Sequence, residues 1–147
     1  MTKGNAAIYA FLIVIADRLS KFIILKHFTP GESFPLIKSV LHLTLVFNKG
    51  GAFGLFANAV PVFILTSFFV IIAISIFLLF KKVKYNIAAA LSCIMAGAVS
   101  NLIDRVHFGY VVDFIDFRVW PVFNIADSAI TLGALWLCIQ YFLKSGR

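Results

Sequence analysis

Residues 60–80 read VPVFILTSFFVIIAISIFLLF, and no position in that run carries a charge. An α-helix rises about 1.5 Å per residue, so the stretch from Val62 to Phe80 reaches about 30 Å, which matches the hydrocarbon core of a bilayer. Asn58 is placed to cap this helix, and Pro61 suits its first turn. The run therefore predicts a membrane-spanning helix.

Working outward, Lys81, Lys82 and Lys84 form a short basic loop, and a second span follows over about 87–105. It is apolar as far as Ile103 apart from Ser92, Ser100 and Asn101. Another span covers about 124–143, with Asp127 near its start and Lys144 just past its end. The N-terminal segment, about 6–26, is less uniform. Ala6 to Ala16 is apolar, then come Asp17, Arg18, Ser20 and Lys21. A cleaved signal peptide is the alternative there, but the apolar run resumes at Phe22 to Leu25, which a cleavage site does not need. A retained helix is expected. Residues 28–58 behave differently. Pro30-Gly31 and Pro35 break any helix. From Leu41 the pattern alternates, with Leu41, Leu43, Leu45 and Phe47 on one face and His42, Thr44, Val46 and Asn48 on the other. That period of two reads as a half-buried strand, and Gly50-Gly51 then supplies a turn or a close backbone approach. The expectation is an all-α membrane protein with four transmembrane helices and a small sheet platform on the outer leaflet, in a single domain over residues 1–147.

Composition agrees with a lipid solvent. The 147 residues are 62% hydrophobic and only 13% charged, with a mean hydropathy of +1.02. A soluble domain has about 25% charged residues, and one this small has too little interior to hide so much apolar surface. The net charge of +7 does not point to nucleic acid, because the basic residues form no stripe or known recognition motif. Cys93 and Cys138 lie inside apolar runs and make no metal or redox pair. Four spans put both termini on one side. Lys3, Lys81, Lys82, Lys84, Lys144 and Arg147 fall there, against Arg18, Lys21, Lys26, Lys38, Lys49, Arg105 and Arg118 at or beyond the other face. The raw tally does not orient the chain, but the positive-inside rule weights short loops, and the Lys81–Lys84 loop is short. Cytoplasmic termini are expected. All the acidic residues, Asp17, Glu32, Asp104, Asp113, Asp116 and Asp127, then fall at or beyond the outer helix ends.

Carboxylates near membrane depth need partners or a task, since an Asp at a helix centre costs about 2.5–3.5 kcal/mol on insertion scales. Asp17 and Lys21 share a helix face at i, i+4. They read as an ion pair or interfacial anchor, or as a prop beneath an active site. Asn101, Asp104 and Arg105 share one face at the outer end of their helix, which reads either as a helix end tied down by polar contacts or as Asn101 and Arg105 orienting a substrate or a catalytic carboxylate. Asp113 sits in an apolar, β-prone stretch, where burial favours a neutral acid. Asp116 reads as an exposed partner of Arg118. Asp127 follows Asn124 by three residues, which resembles a capping box, so capping and catalysis stand side by side. Asp113 and Asp127 together suggest a carboxylate dyad, one protonated and one ionised, able to activate a water against an amide. Other hydrolytic chemistries fit less well. There is no H-E-x-x-H, His27, His42 and His107 are scattered, and no G-x-S-x-G elbow occurs. A Ser/Lys dyad would have to use adjacent residues, which do not face each other on a helix.

At this point the sequence resembles lipoprotein signal peptidase, or signal peptidase II, along nearly its whole length. Asp17-x-x-x-Lys21 is similar to the first family motif, and Asn48-Lys-Gly-Gly-Ala-Phe53 to its N-x-G-x-A-F motif. Asn101-Leu-Ile-Asp-Arg105 with Gly109-Tyr-Val-Val-Asp-Phe-Ile115 resembles the third, and Phe123-Asn-Ile-Ala-Asp-Ser128 the last. The stretch Ala96-Gly-Ala-Val-Ser-Asn101 departs from the family's usual G-G-A-x-G-N, with Ala96 and Ser100 in place of two glycines. Both are small, so close helix packing is expected to survive. The resemblance implies Asp113 and Asp127 as catalytic residues, with Asp17, Lys21, Asn48, Gly50, Asn101, Arg105, Asn124 and Ala126 around them. It implies a multi-pass enzyme of the bacterial cytoplasmic membrane, with a β-cradle and a short outer helix. The implied substrate is a diacylglyceryl-modified prolipoprotein, cut on the amino side of its lipidated cysteine. No metal or cofactor is implied, globomycin-type cyclic peptides are implied as inhibitors, and a monomer is expected in contact with membrane lipid. A small transporter or channel component is the main rival. It also places ionisable groups in the membrane, but gives no role to Asn48-x-Gly-x-Ala-Phe53. A scaffold, the third possibility, tolerates loss of either carboxylate.

Overall fold

A computed structural model describes residues 3–51 and 59–145. In chain order these form α1 (Lys3–His27), β1 (Ser33–Ile37), β2 (Leu41–Asn48), α2 (Val60–Phe80), α3 (Tyr85–Phe108), β3 (Val111–Asp116) and α4 (Ile125–Ser145). Three helices, α2, α3 and α4 (to Lys144), are long and apolar enough to cross a membrane. α1 is as long but carries Asp17, Arg18 and Lys21 in its second half. Among the described residues the short outer helix implied by the family resemblance has no counterpart. Asn58, the expected cap of α2, and Ala52-Phe53 of the second motif lie outside the described residues. Ala59 stands at the N-cap without a side-chain hydrogen bond, and Pro61 occupies the first turn as expected.

The helices differ in how much they bury, and composition explains why. α2 is apolar all round and buries only Ile74, so its surface is left for lipid. α3 is the central helix and packs against α1, α2 and α4. It buries Ala88, Ala90, Ser92, Ala96, Gly97, Ala98 and Ser100, and such small residues let backbones approach closely where lipid supplies no hydrophobic drive. A Cβ at Gly97 would collide with the Ala126 carbonyl, and one at Gly133 would lie 2.7 Å from the Ala90 carbonyl. α3 stops at Gly109, which takes φ 75° and donates its N–H to the Arg105 carbonyl at 3.0 Å. α1 buries Ala6, Ala10, Asp17, Lys21 and Ile24, one face that changes from small to charged along its length.

The strands form an antiparallel sheet in the order β1-β2-β3. Leu45 of β2 packs with Ile24, Val112 and Phe114, flanked by Leu43, Phe47 and Tyr110, so the alternating face is the buried one. The platform is not confined to residues 28–58. Its third strand comes from beyond α3, where Val111 pairs with Asn48 and Asp113 with Val46. Asp116 is also buried rather than exposed, at 5% accessibility. It keeps the expected pairing with Arg118 at 3.1 Å and adds a hydrogen bond from the Thr44 hydroxyl at 2.8 Å. Those two partners hold its carboxyl below the usual range, although burial alone would raise it.

Candidate active site

β3 carries Asp113 into the interior, and Phe123 pairs back onto Ile115 before the chain enters α4. Asn124 therefore arrives beside Asp113. Its side-chain Nδ2 donates to Asp113 Oδ1 at 2.7 Å, to Asn101 Oδ1 at 3.1 Å and to the Val112 carbonyl at 3.3 Å. Asn124 and Asp127 also cap one another. The Asp127 N–H donates to Asn124 Oδ1 at 2.8 Å, and the Asn124 N–H to Asp127 Oδ2 at 3.3 Å. The other Asp127 oxygen accepts from Asn101 Nδ2 at 2.8 Å. Asp127 thus caps its helix and lines a cavity as well, so the two sequence readings do not exclude each other.

Asn48 closes the site from β2. Its Nδ2 donates to Asp113 Oδ2 at 2.9 Å, a diagonal contact across the strand pair, while its Oδ1 accepts the Gly50 N–H at 2.9 Å. Both Asp113 oxygens are thereby held by amides. The carboxyl is nevertheless pushed up to about 7, first by burial and then by the neighbouring Asp127, against the opposing pull of the two asparagines. Asn48, Gly50, Arg105, Asp113 and Asp127 open on one cavity of about 640 Å³. Its remaining wall includes Phe117, Val122, Ile130 and Leu132. An apolar chain and a polar backbone could therefore lie side by side in it.

Beneath this layer is a buried cluster of ions. Lys21 Nζ lies 2.7 Å from Asp17 Oδ2, 2.8 Å from Asp104 Oδ2 and 3.1 Å from Asn101 Oδ1. Arg18 reaches the other Asp104 oxygen. Asp17 Oδ1 accepts the Ala126 N–H at 2.9 Å, satisfying one orphan donor in the first turn of α4, and Ser100 Oγ donates to Asp17 Oδ2 at 2.6 Å. Asp17 and Lys21 are both 0% exposed, so Lys21 is a buried partner and no interfacial anchor. All ten residues singled out from the sequence meet here, joined through hydrogen bonds or the shared cavity. Sequence reasoning left out Ser100, Asp104 and Arg18 as site residues. Asp104 carried a signal, since it shares a face with Asn101. Ser100 carries no such signal: a small residue at a packing position, it donates its hydroxyl to Asp17.

Comparison with known proteins places the chain. The family model for signal peptidase (SPase) II matches residues 9–143. The lipoprotein signal peptidase of Moorella thermoacetica is 45% identical over 139 residues, covering 94% of this chain and 93% of that one. A bacterial membrane enzyme solved in meso at 2.3 Å resolution superposes with a TM-score of 0.92 at 33% identity, over 97% of this chain and 90% of the other. A second, at 1.9 Å resolution, gives 0.86 at 34% identity, over 94% and 92%. Matched along almost its whole length, the chain belongs to the signal peptidase II family, membrane proteases that remove signal peptides from lipoproteins.

Proposed function

We propose that this chain is an aspartic endopeptidase acting on diacylglyceryl-modified prolipoproteins, cutting on the amino side of the lipidated cysteine with Asp113 and Asp127 as its catalytic pair. The observation that supports this best is that Asp113 and Asp127 line one cavity and Asn124 hydrogen-bonds both carboxylates, one through its side-chain amide and the other through its backbone N–H. Asp127 is the ionised base, at a helix N-terminus that favours negative charge. Asp113, with its carboxyl raised to about 7, is the protonated acid. Asp127 takes a proton from a water whose oxygen attacks the scissile carbonyl carbon. Asp113 protonates the carbonyl oxygen to give a gem-diol; Asp127 then passes its proton to the leaving nitrogen as the C–N bond breaks, and a gem-diol hydroxyl returns a proton to Asp113. The carboxylates exchange roles in each turnover, so the pair titrates as a unit.

The chain crosses the bacterial cytoplasmic membrane four times, α1 included, with both termini in the cytoplasm and the sheet on the outer face. It works as a monomer, in contact with membrane lipid. Asp17, Lys21, Asn101 and Ala126 hold the pair in place. Asn124 holds both carboxylates, and Asn48, Gly50 and Arg105, which line the cavity, meet the substrate's extended backbone and ester oxygens. The apolar wall receives acyl chain, and globomycin-type cyclic peptides compete for the same cavity. The mechanism calls on no metal or cofactor. A catalytic pair at this depth spares the enzyme from extracting the lipid, which would cost about 0.8 kcal/mol per CH₂. The test is purified protein with a lipidated prolipoprotein, beside Asp113→Asn and Asp127→Asn. The intact protein releases signal peptide and neither variant does. If the intact protein releases none under conditions where a known family enzyme does, the assignment fails.

A further inference from the structure

α2 gives the site no hydrogen bond or ion pair among the described residues, yet its first turn meets the cavity wall at one point. The Arg105 guanidinium carbon lies 4.9 Å from the centroid of the Phe63 ring, within the roughly 6 Å at which a cation is attracted to an aromatic face. Arg105 lines the cavity with Asp113 and Asp127, but among the described residues it makes no ion pair of its own. A long side chain in that position has many rotamers, and ordering it on substrate binding costs free energy. We propose that Phe63 is a positioning residue for the substrate: its ring holds the Arg105 guanidinium in place, leaving the N–H donors free for the acceptor oxygens of the bound chain. A guanidinium flanked by carboxylates suits a neutral carbonyl oxygen better than a second anion, because an anion would be repelled by the flanking acids. The role given to Arg105 rests on the peptidase reading above. The contact that holds it does not.

Two measurements separate the claims. In the first, KM and kcat are measured for the full-length protein with a lipidated prolipoprotein. Phe63→Leu keeps the apolar bulk and removes the ring. It raises KM about three- to thirtyfold, the range expected from losing a cation–π contact, and leaves kcat within about twofold. Phe63→Trp stays near the parent. In an Arg105→Gln background, read as substrate binding to the Asp127→Asn form so that turnover is not needed, Phe63→Leu adds nothing further. The second uses ¹⁵N-arginine NMR of the parent without substrate, where the Arg105 Nε–H proton is shifted upfield by the ring and returns in Phe63→Leu. An equal penalty for Phe63→Leu with and without Arg105, or a Trp variant as impaired as the Leu one, overturns the positioning role. An unshifted Arg105 resonance overturns the contact itself. Absence of cleavage by the parent, with the NMR shift present, counts against the peptidase reading alone.

Discussion

Asp113 is held by two amides and is still hard to ionise, because an amide offers a dipole while burial and Asp127 act on the full charge. A carboxyl raised from 3.8 to about 7 binds more protons folded than unfolded between those values. Stability therefore falls as pH rises through that window and levels off above about 7. Thermal melts across about pH 4–8 are expected to show this decline in the parent, and Asp113→Asn is expected to flatten it. If Asp113 is the acid of the reaction, kcat/KM holds at lower pH and falls as pH rises through about 7 and beyond, and a profile flat from about pH 6 to 9 would remove it from that role. Ser100→Ala takes one donor from buried Asp17 and is expected to cost about 1–3 kcal/mol, read as a lower melting temperature. The sequence made Asp113 conspicuous as the one charge in an apolar stretch. It could not do so for Ser100, since a small residue on a helix face shows nothing of the partner 83 positions away.

At the scale of elements, the site depends on how closely α3 and α4 approach. Gly97 faces the Ala126 carbonyl with no room for a Cβ, and Ala126 precedes Asp127. Gly97→Val is expected to cost about 1–3 kcal/mol by overpacking and to lower turnover more than Ser100→Ala does, because it displaces the first turn of α4. α1 contributes through charge. Lys21→Met leaves Asp17 and Asp104 sharing too few cations, and breaking such a buried pair costs about 3–5 kcal/mol, enough to lose most folded protein from a membrane preparation. The helices were legible because uncharged runs of the right length have few other uses. β2 was legible from its alternation. β3 was recognised as β-prone but not as part of the platform, since a continuous apolar run carries no period and its partner lies more than sixty residues earlier in the chain.

For the whole molecule, the lipid-facing surface and the buried ions sit at different places along the same helices. α2 exposes Leu65, Phe68, Phe69 and Leu79, while the charges gather where α1, α3 and α4 meet below the sheet. Four crossings with cytoplasmic termini predict opposite sides for the β1–β2 turn and the α2–α3 loop. In a background lacking Cys93 and Cys138, a cysteine at Lys38 is expected to react with an impermeant thiol reagent added to intact cells, and one at Lys82 only after lysis. The reverse pattern inverts the orientation, and labelling of both from outside removes a crossing. One consequence concerns biogenesis. Asn48 meets a residue 65 positions later, and Asp17 meets the backbone of one 109 positions later. A nascent chain halted after α3 therefore holds β1 and β2 without β3, and an Asp17 that lacks the Ala126 N–H. If Asp113 and Asp127 are the catalytic pair, a chain interrupted before α4 is expected to cleave nothing, because one of the two acids has yet to be made.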